Sequence, residues 1–180
     1  MRRVVTVIIS LALLVGMGCE RSITVSHKEI VALEFSVNRV AVIGDSYTTG
    51  GDEGGIGPNG WTARAWQALA QQGMPITADV GAEGGAGYGT RGNRGSLFED
   101  LTARTVQPND ALVVFFGSRN DQEVSPAQLS ILVYGTFQLA RRIAPSAKFL
   151  VIGPPWPTAD PPEIAADNAT IVTEAFLQSW

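Results

Sequence analysis

Residues 38–46 read NRVAVIGDS, a short apolar run that ends at a glycine and is followed by two polar side chains. Its β-branched residues between polar flanks predict a buried strand from Asn38 to Ile43. Similar apolar runs recur at 76–80, 110–116 and 148–152. Segments with helical spacing or helix start signals separate and follow them, at 61–72, 96–104, 125–143 and 163–177. This alternation predicts an α/β fold in which a parallel sheet is covered by helices on both faces.

The predicted helices carry start signals, and the segments between the elements are rich in glycine. Ser96, with Glu99 three residues on, predicts an N-cap, and Ser125 before Pro126 predicts another. The stretches 47–60 and 81–95 are predicted as loops. The last helix is expected to bury one apolar face, made of Ile164, Ile171, Val172, Ala175 and Phe176.

Unusual polar or glycine-rich segments follow three of the four predicted strands. Residues 44–46 (GDS) follow the first strand, a glycine loop from Gly81 follows the second, and residues 117–121 (GSRND) follow the third. Ligands of parallel α/β sheets bind outside the carboxyl ends of the strands. We therefore expect the three segments to converge at one edge of the sheet, where they indicate a functional site.

Each segment alone also has a simpler structural interpretation. Asp45 or Ser46 can merely cap a helical turn, and Asn120 can be an ordinary turn residue. The glycine loop can bind phosphate or only connect two elements, although the glycines after the first strand are too scattered for a dinucleotide-binding loop. A serine just after a strand can instead expose its hydroxyl beside the N–H groups of a helical turn, which is the arrangement that acyl transfer needs.

Together, residues 44–50 (GDSYTTG), the pair Gly84 and Gly87, and Asn120-Asp121 resemble three sequence blocks of the SGNH (GDSL-type) hydrolases, in their order. The resemblance covers about residues 38–155. It implies a flavodoxin-like, three-layer α/β sheet. It also implies a serine esterase that hydrolyses carboxylic esters, acyl or O-acetyl, through an acyl-enzyme.

The same resemblance implies roles for individual residues. Ser46 would be the nucleophile, and the oxyanion hole would consist of the Ser46 N–H, the Gly84 N–H and the Asn120 side chain. Tyr47 and Trp61 would border the substrate, a small ester or an acylated carbohydrate. We expect no metal and no cofactor.

Two features depart from the family pattern. Ser118 stands where the family has glycine, one residue after Gly117. The family's Asp-x-x-His block follows a fifth strand, but the single histidine here is His27. Because a serine hydroxyl without an adjacent base is a poor nucleophile, we expect a hydrolase domain over 38–180 that is C-terminally incomplete, lacks that strand and histidine loop, and is inactive or crippled.

Two other functions remain open at this point. The first is a non-catalytic binding protein of the cell envelope that holds a sugar or acyl ligand. The second, more distant, is a flavodoxin-like cofactor binder. Nucleic acid is not an expected partner, because the net charge is -4 and no run of Lys or Arg follows residue 3.

The N-terminus has the features of an export signal. Arg2 and Arg3 precede the apolar run 4–15, which is short for a membrane span. Residues 16–19 (GMGC) then predict Cys19 as the lipidation site of a bacterial lipoprotein, with 20–37 as a tether. We expect residues 1–19 to direct the protein to the outer face of the cytoplasmic membrane. A secretory signal, with a secreted protein, and a retained anchor are the alternatives.

Overall fold

The computed structural model describes residues 38–52, 54–156 and 162–177. The predicted export signal, the tether, Cys19 and His27 lie outside the described residues, so they stay predictions. The described strands and helices form one α/β unit around a single sheet.

Four strands form the described sheet: β1 (Arg39–Gly44), β2 (Thr77–Ala82), β3 (Leu112–Phe116) and β4 (Lys148–Ile152). Their order is β2-β1-β3-β4, and every neighbouring pair is parallel. This order matches the first four strands of the flavodoxin-like arrangement. The α/β prediction is confirmed, and all four strands lie within two residues of their predicted limits.

In the described ranges, five helices connect or follow these strands. They are α1 (Ser46–Thr49), α2 (Trp61–Gln71), α3 (Phe98–Thr105), α4 (Pro126–Ile143) and α5 (Pro162–Leu177), with 3-10 turns at Gly57–Asn59 and Arg119–Asp121. The prediction of a continuous loop over 47–60 was wrong, because α1 and the first 3-10 turn lie within it. The loop predicted from Gly81 begins later, since β2 runs on to Ala82.

Helices pack on both faces of the sheet. On one face, α3, α4 and α5 cover alternate residues of β1 and β3 and form the main core. On the other face, α2 places Trp61 and Trp66 against a smaller cluster. The main core contains, among others, Ala41, Ile43, Val113, Phe115, Leu129, Phe137 and Ile171.

Two sequence-based details of the helices were wrong. Ser96 is not the cap of α3: the cap is Leu97, whose N–H donates to the Asp100 carboxylate at 3.0 Å. Val172 is 60% exposed although it was expected on the buried face of α5. Val172 follows Ile171 and is turned about 100° from it around the helix, away from α4. The Ser125 cap is confirmed, since its hydroxyl accepts from the Gln128 N–H at 3.4 Å.

The outer strand β4 buries one face and exposes the other. Phe149 and Val151 pack against the main core, whereas Leu150 is 47% and Ile152 is 37% exposed. Within the described parts of the chain, no helix combines the length and the apolar character that crossing a membrane requires.

Candidate active site

Ser46 is the exposed first residue of α1 and follows β1, one of the two inner strands of the described sheet. Asp45 caps the helix, because its carboxylate accepts from the Tyr47 N–H at 2.9 Å. The turn requires glycine at 44, since a Cβ there would overlap the side chain of Thr48. The capping interpretation therefore holds for Asp45, and the Ser46 hydroxyl makes no hydrogen bond with any described residue.

The Asp45 carboxyl is fully buried directly beneath this turn. Burial raises its pKa from 3.8 to about 6, while the Tyr47 N–H and the positive charge of Arg119 act in the opposite direction. At neutral pH the group is therefore mostly ionised and places a negative charge next to Ser46.

The glycine loop after β2 is fixed beside the end of β1. The Glu83 N–H donates to the Gly44 carbonyl at 3.1 Å. The buried Glu83 carboxylate accepts from the N–H groups of Arg94 at 2.5 Å and Ser96 at 3.1 Å, which closes the loop on itself. The Gly84 carbonyl accepts from Asn93, but the Gly84 N–H donates to no described residue.

Asn120 lies in the 3-10 turn after β3 and bridges the other two segments. Its side-chain amide donates to the Ala86 carbonyl at 2.7 Å and lies 3.4 Å from Asp45 Oδ2. The structure thus brings the ends of β1, β2 and β3 together at one edge, which is the arrangement that the sequence predicted.

Asp121, in the same turn, links it to the glycine loop by hydrogen bonds. Its buried carboxylate accepts from three successive N–H groups of the glycine loop, at 2.8 to 2.9 Å; the donors are Tyr88, Gly89 and Thr90. Gly87 lies so close that a Cβ would overlap both Asp121 and the buried Ser118 hydroxyl. The two loops therefore meet in a contact that only glycine at 87 permits.

The two residues predicted to border the substrate differ in their surroundings. Tyr47 is 38% exposed and follows Ser46 directly. Trp61 is half-buried: its ring centre lies 5.5 Å from that of Phe116, and its indole N–H donates to Thr48 Oγ1 at 3.4 Å. Trp61 thus packs beneath α1, and its predicted contact with substrate stays a prediction.

Sequence reasoning missed Arg119 and Trp156. An Arg119 nitrogen donates to the Tyr47 hydroxyl at 3.1 Å, and its guanidinium carbon lies 4.6 Å from the centre of the Trp156 ring. Arg119 precedes Asn120 in the polar segment 117–121 after β3. Its place in that segment could have indicated that it lies at the site. Trp156 follows β4, and no sequence pattern connects it to Arg119.

One comparison with known proteins decides the family. The chain is 58% identical to GDSL lipase Rv0518 of Mycobacterium tuberculosis over an alignment of 170 residues, and the match covers 90% of this chain and 71% of that protein. The chain belongs to the GDSL lipase family. The resemblance found in the three sequence blocks is confirmed, and with it the assignment to the ester hydrolases. No protein-family model matches the chain.

Solved structures of other proteins match the fold of this GDSL lipase family member. A family two carbohydrate esterase from Clostridium thermocellum, in complex with cellohexaose, matches with a TM-score of 0.57 and 18% identity, over 76% of this chain and 48% of that one. An active-site mutant of such an esterase, from the same organism, matches with a TM-score of 0.55, 18% identity and the same coverage. At these identities the likeness shows the fold alone, an SGNH esterase-like α/β fold.

No metal site accompanies this arrangement in the described residues, where no three His, Cys, Asp or Glu side chains gather closely enough to hold an ion. The carboxylates near Ser46 accept hydrogen bonds from backbone N–H groups. Asp45 caps α1 and Asp121 holds the glycine loop.

Proposed function

We propose that this member of the GDSL lipase family is a serine ester hydrolase in which Ser46 attacks the carbonyl carbon of a carboxylic ester. The observation that carries the proposal is the exposed Ser46 at the start of α1, with its own N–H and that of Gly84 unused by the described residues. The first N–H groups of a helix have no partner within the helix, so they are available to an oxyanion.

Asn120 supplies the third proposed donor. One amide hydrogen is used in the short bond to Ala86, which fixes the orientation of the side chain. The other has only the longer contact of 3.4 Å with Asp45. In this proposal, an oxyanion that forms on the substrate competes with Asp45 for this second hydrogen. Donors fixed in advance lower the barrier because they need no reorganisation during the reaction.

The reaction proceeds in two steps. A base takes the Ser46 proton as the hydroxyl oxygen bonds to the carbonyl carbon, and the alcohol leaves with a proton when the intermediate collapses. Water then cleaves the acyl-Ser46 ester and releases the acid. We propose that the base is a histidine outside the described residues. In the 180-residue sequence the one candidate is His27.

The proposed substrates are acyl or O-acetyl esters, including acylated carbohydrates. The named relative is a lipase and two of the fold neighbours are carbohydrate esterases, which supports this range without selecting within it. We further propose that the protein is exported and anchored by lipid at Cys19. The support is the order of positive residues, apolar run and cysteine in 1–19.

Hydrolysis of p-nitrophenyl acetate tests the nucleophile, in the 180-residue chain if it is active and otherwise in a form extended past Trp180 where the reading frame continues. Ser46→Ala should lower kcat by up to about 10⁶, the scale known for loss of a catalytic serine, while the melting temperature stays close to that of the wild type. Ser146→Ala, at an exposed serine between α4 and β4, is the matched control and should retain full activity. In a form of the chain that hydrolyses the ester above the uncatalysed rate, equal turnover by wild type and Ser46→Ala would exclude Ser46 as the nucleophile.

The base requires a separate comparison. Activity is measured for the 180-residue chain, for its His27→Ala variant and, where the reading frame continues past Trp180, for the extended chain. Loss of activity in His27→Ala assigns the base to His27. Activity confined to the extended chain assigns it to a residue after Trp180. Ligand binding without turnover in every form would instead support the non-catalytic binding protein.

A further inference from the structure

Arg119 stands at the same edge of the sheet as Ser46 and is held there by two aromatic side chains. It donates to the hydroxyl of Tyr47, the residue next to Ser46, at 3.1 Å. Its guanidinium carbon also lies over the Trp156 ring, 4.6 Å from the ring centre. The cation is therefore fixed in place between the ends of β1 and β4.

The charge of Arg119 is not neutralised by an ion pair in the described part of the chain. The ion pairs found there use Arg39, Arg91 and Arg94. Arg119 does lower the pKa of the buried Asp45 carboxyl, yet no ion pair joins the two groups. An arginine held by aromatic groups and lacking a carboxylate partner keeps its charge available to a ligand.

The contacts of Arg119 also leave most of its donors available. A guanidinium carries five N–H donors that lie in its plane. Only the bond to Tyr47 uses one of them among the described residues. The remaining edges match the paired oxygens of a carboxylate or a phosphate.

We propose that Arg119 is a specificity-determining residue that binds a carboxylate group carried by the ester substrate. This inference rests on the proposed function of Ser46, because it places the anion on the molecule that Ser46 attacks. A neutral sugar ring is the less suitable occupant, since the cation covers one face of Trp156. A local cation would also give an anionic ester a specific binding point on a chain whose net charge is -4.

Two matched ester pairs test the preference on either side of the scissile bond. The first is 4-acetoxybenzoate against its methyl ester, with the charge on the alcohol side. The second is mono-p-nitrophenyl adipate against its methyl ester, with the charge on the acyl side. For at least one pair, Arg119→Gln should lower kcat/KM about tenfold more for the anionic ester than for the neutral one. Arg142→Gln, at an exposed arginine of α4, should leave the ratio unchanged.

The comparison of ratios separates substrate binding from an effect through Asp45. Without Arg119 the Asp45 carboxyl becomes more protonated, and its smaller negative charge favours the anionic ester. Loss of an anion contact disfavours the anionic ester, so the two effects change the ratio in opposite directions. Arg119→Lys should keep part of the preference, because it keeps the charge but loses the paired donors. Ratios that are the same in wild type and Arg119→Gln for both pairs overturn the proposal.

Calorimetric titration measures the affinity for an anionic ligand in the absence of turnover. The probes are 4-acetamidobenzoate and adipamate, amides that replace the labile esters, each compared with its methyl ester. At least one anionic probe should bind about tenfold more weakly to Arg119→Gln, and equal affinities for both probes contradict the proposal. If Ser46→Ala retains hydrolysis, the proposed function fails, and this titration still decides the role of Arg119.

Discussion

The side-chain amide of Asn120 donates a hydrogen bond of 2.7 Å to the carbonyl oxygen of Ala86, which joins the turn after β3 to the loop after β2. The same amide is a proposed oxyanion donor. One side chain would therefore both position the glycine loop and stabilise the oxyanion that forms on the substrate.

Replacement of Asn120 by alanine should lower kcat for p-nitrophenyl acetate about 10²–10³-fold, the usual effect of removing one oxyanion donor. It should also lower the melting temperature slightly, because the Ala86 carbonyl loses its donor. The exposed Glu123, replaced by alanine, is the control near the same turn. A kcat unchanged by Asn120→Ala would remove Asn120 from the proposed oxyanion hole.

Gly87→Ala should destabilise the fold by about 1–3 kcal/mol, the range for overpacking a closely packed site. The added methyl would overlap Asp121 and Ser118, and Asp121 cannot easily move because three N–H groups hold it. Urea unfolding measures the change.

The matched control is Gly135→Ala within α4, where a Cβ meets no atom within 4 Å. This variant should be more stable by about 0.5–1 kcal/mol, because alanine favours a helix interior over glycine. If both substitutions have the same sign, the close approach at Gly87 is not what limits that position.

Asp167→Asn should stabilise the protein at pH 8 and change little at pH 4. Asp167 on α5 is 3% exposed, and one of its carboxyl oxygens has no hydrogen-bond partner among the described residues. Burial, with a smaller contribution from Asp121, raises its pKa from 3.8 to about 6. The folded state then binds the proton more tightly than the unfolded state, so the stability from this group falls as pH rises between 3.8 and about 6.

Removal of the charge should therefore raise the free energy of unfolding at pH 8 by roughly 1–3 kcal/mol. Urea unfolding at pH 4 and pH 8 gives the two values. Asp52→Asn, at an exposed carboxylate, serves as the control without the pH-dependent gain. A gain for Asp167→Asn that is equal at both pH values contradicts the assigned cause.

Cys19→Ala should move the protein from the membrane fraction to the supernatant of bacterial cells, because the thiol is the proposed site of lipid attachment. Cell fractionation followed by immunodetection measures the distribution. The same distribution for both proteins would argue against the lipid anchor and leave the secretory signal or the retained anchor.

The sequence predicted the fold well because its signals are local and repeated. The apolar runs of β1, β3 and β4 are continuous, and parallel strands must place their carboxyl ends at one edge, so the meeting of Ser46, Gly84 and Asn120 followed from topology. The resemblance to the GDSL family then suggested the roles that are proposed for these residues and that residue types alone leave open.

The errors arose where tertiary contacts decide the outcome. Ser96 has the residue type of a cap, but its hydroxyl accepts from Arg104 at 2.9 Å, and its N–H donates to Glu83, thirteen residues earlier in the chain. The contact between Arg119 and Trp156 connects the ends of two strands, and no spacing rule links them. Such pairs become visible only when the positions of the loops are known.

The parallel sheet has a consequence for the order in which the chain can assemble. Val40 pairs with Leu112, and Arg39 forms its ion pair with Asp110, 71 residues further along the chain. At a synthesis rate of about 5–20 residues per second, roughly 4–14 seconds pass between the making of β1 and of its partner β3. During that interval one long edge of β1 has no strand to pair with, and a ribosome that stalls before residue 112 leaves an apolar segment that only a chaperone or another chain can cover.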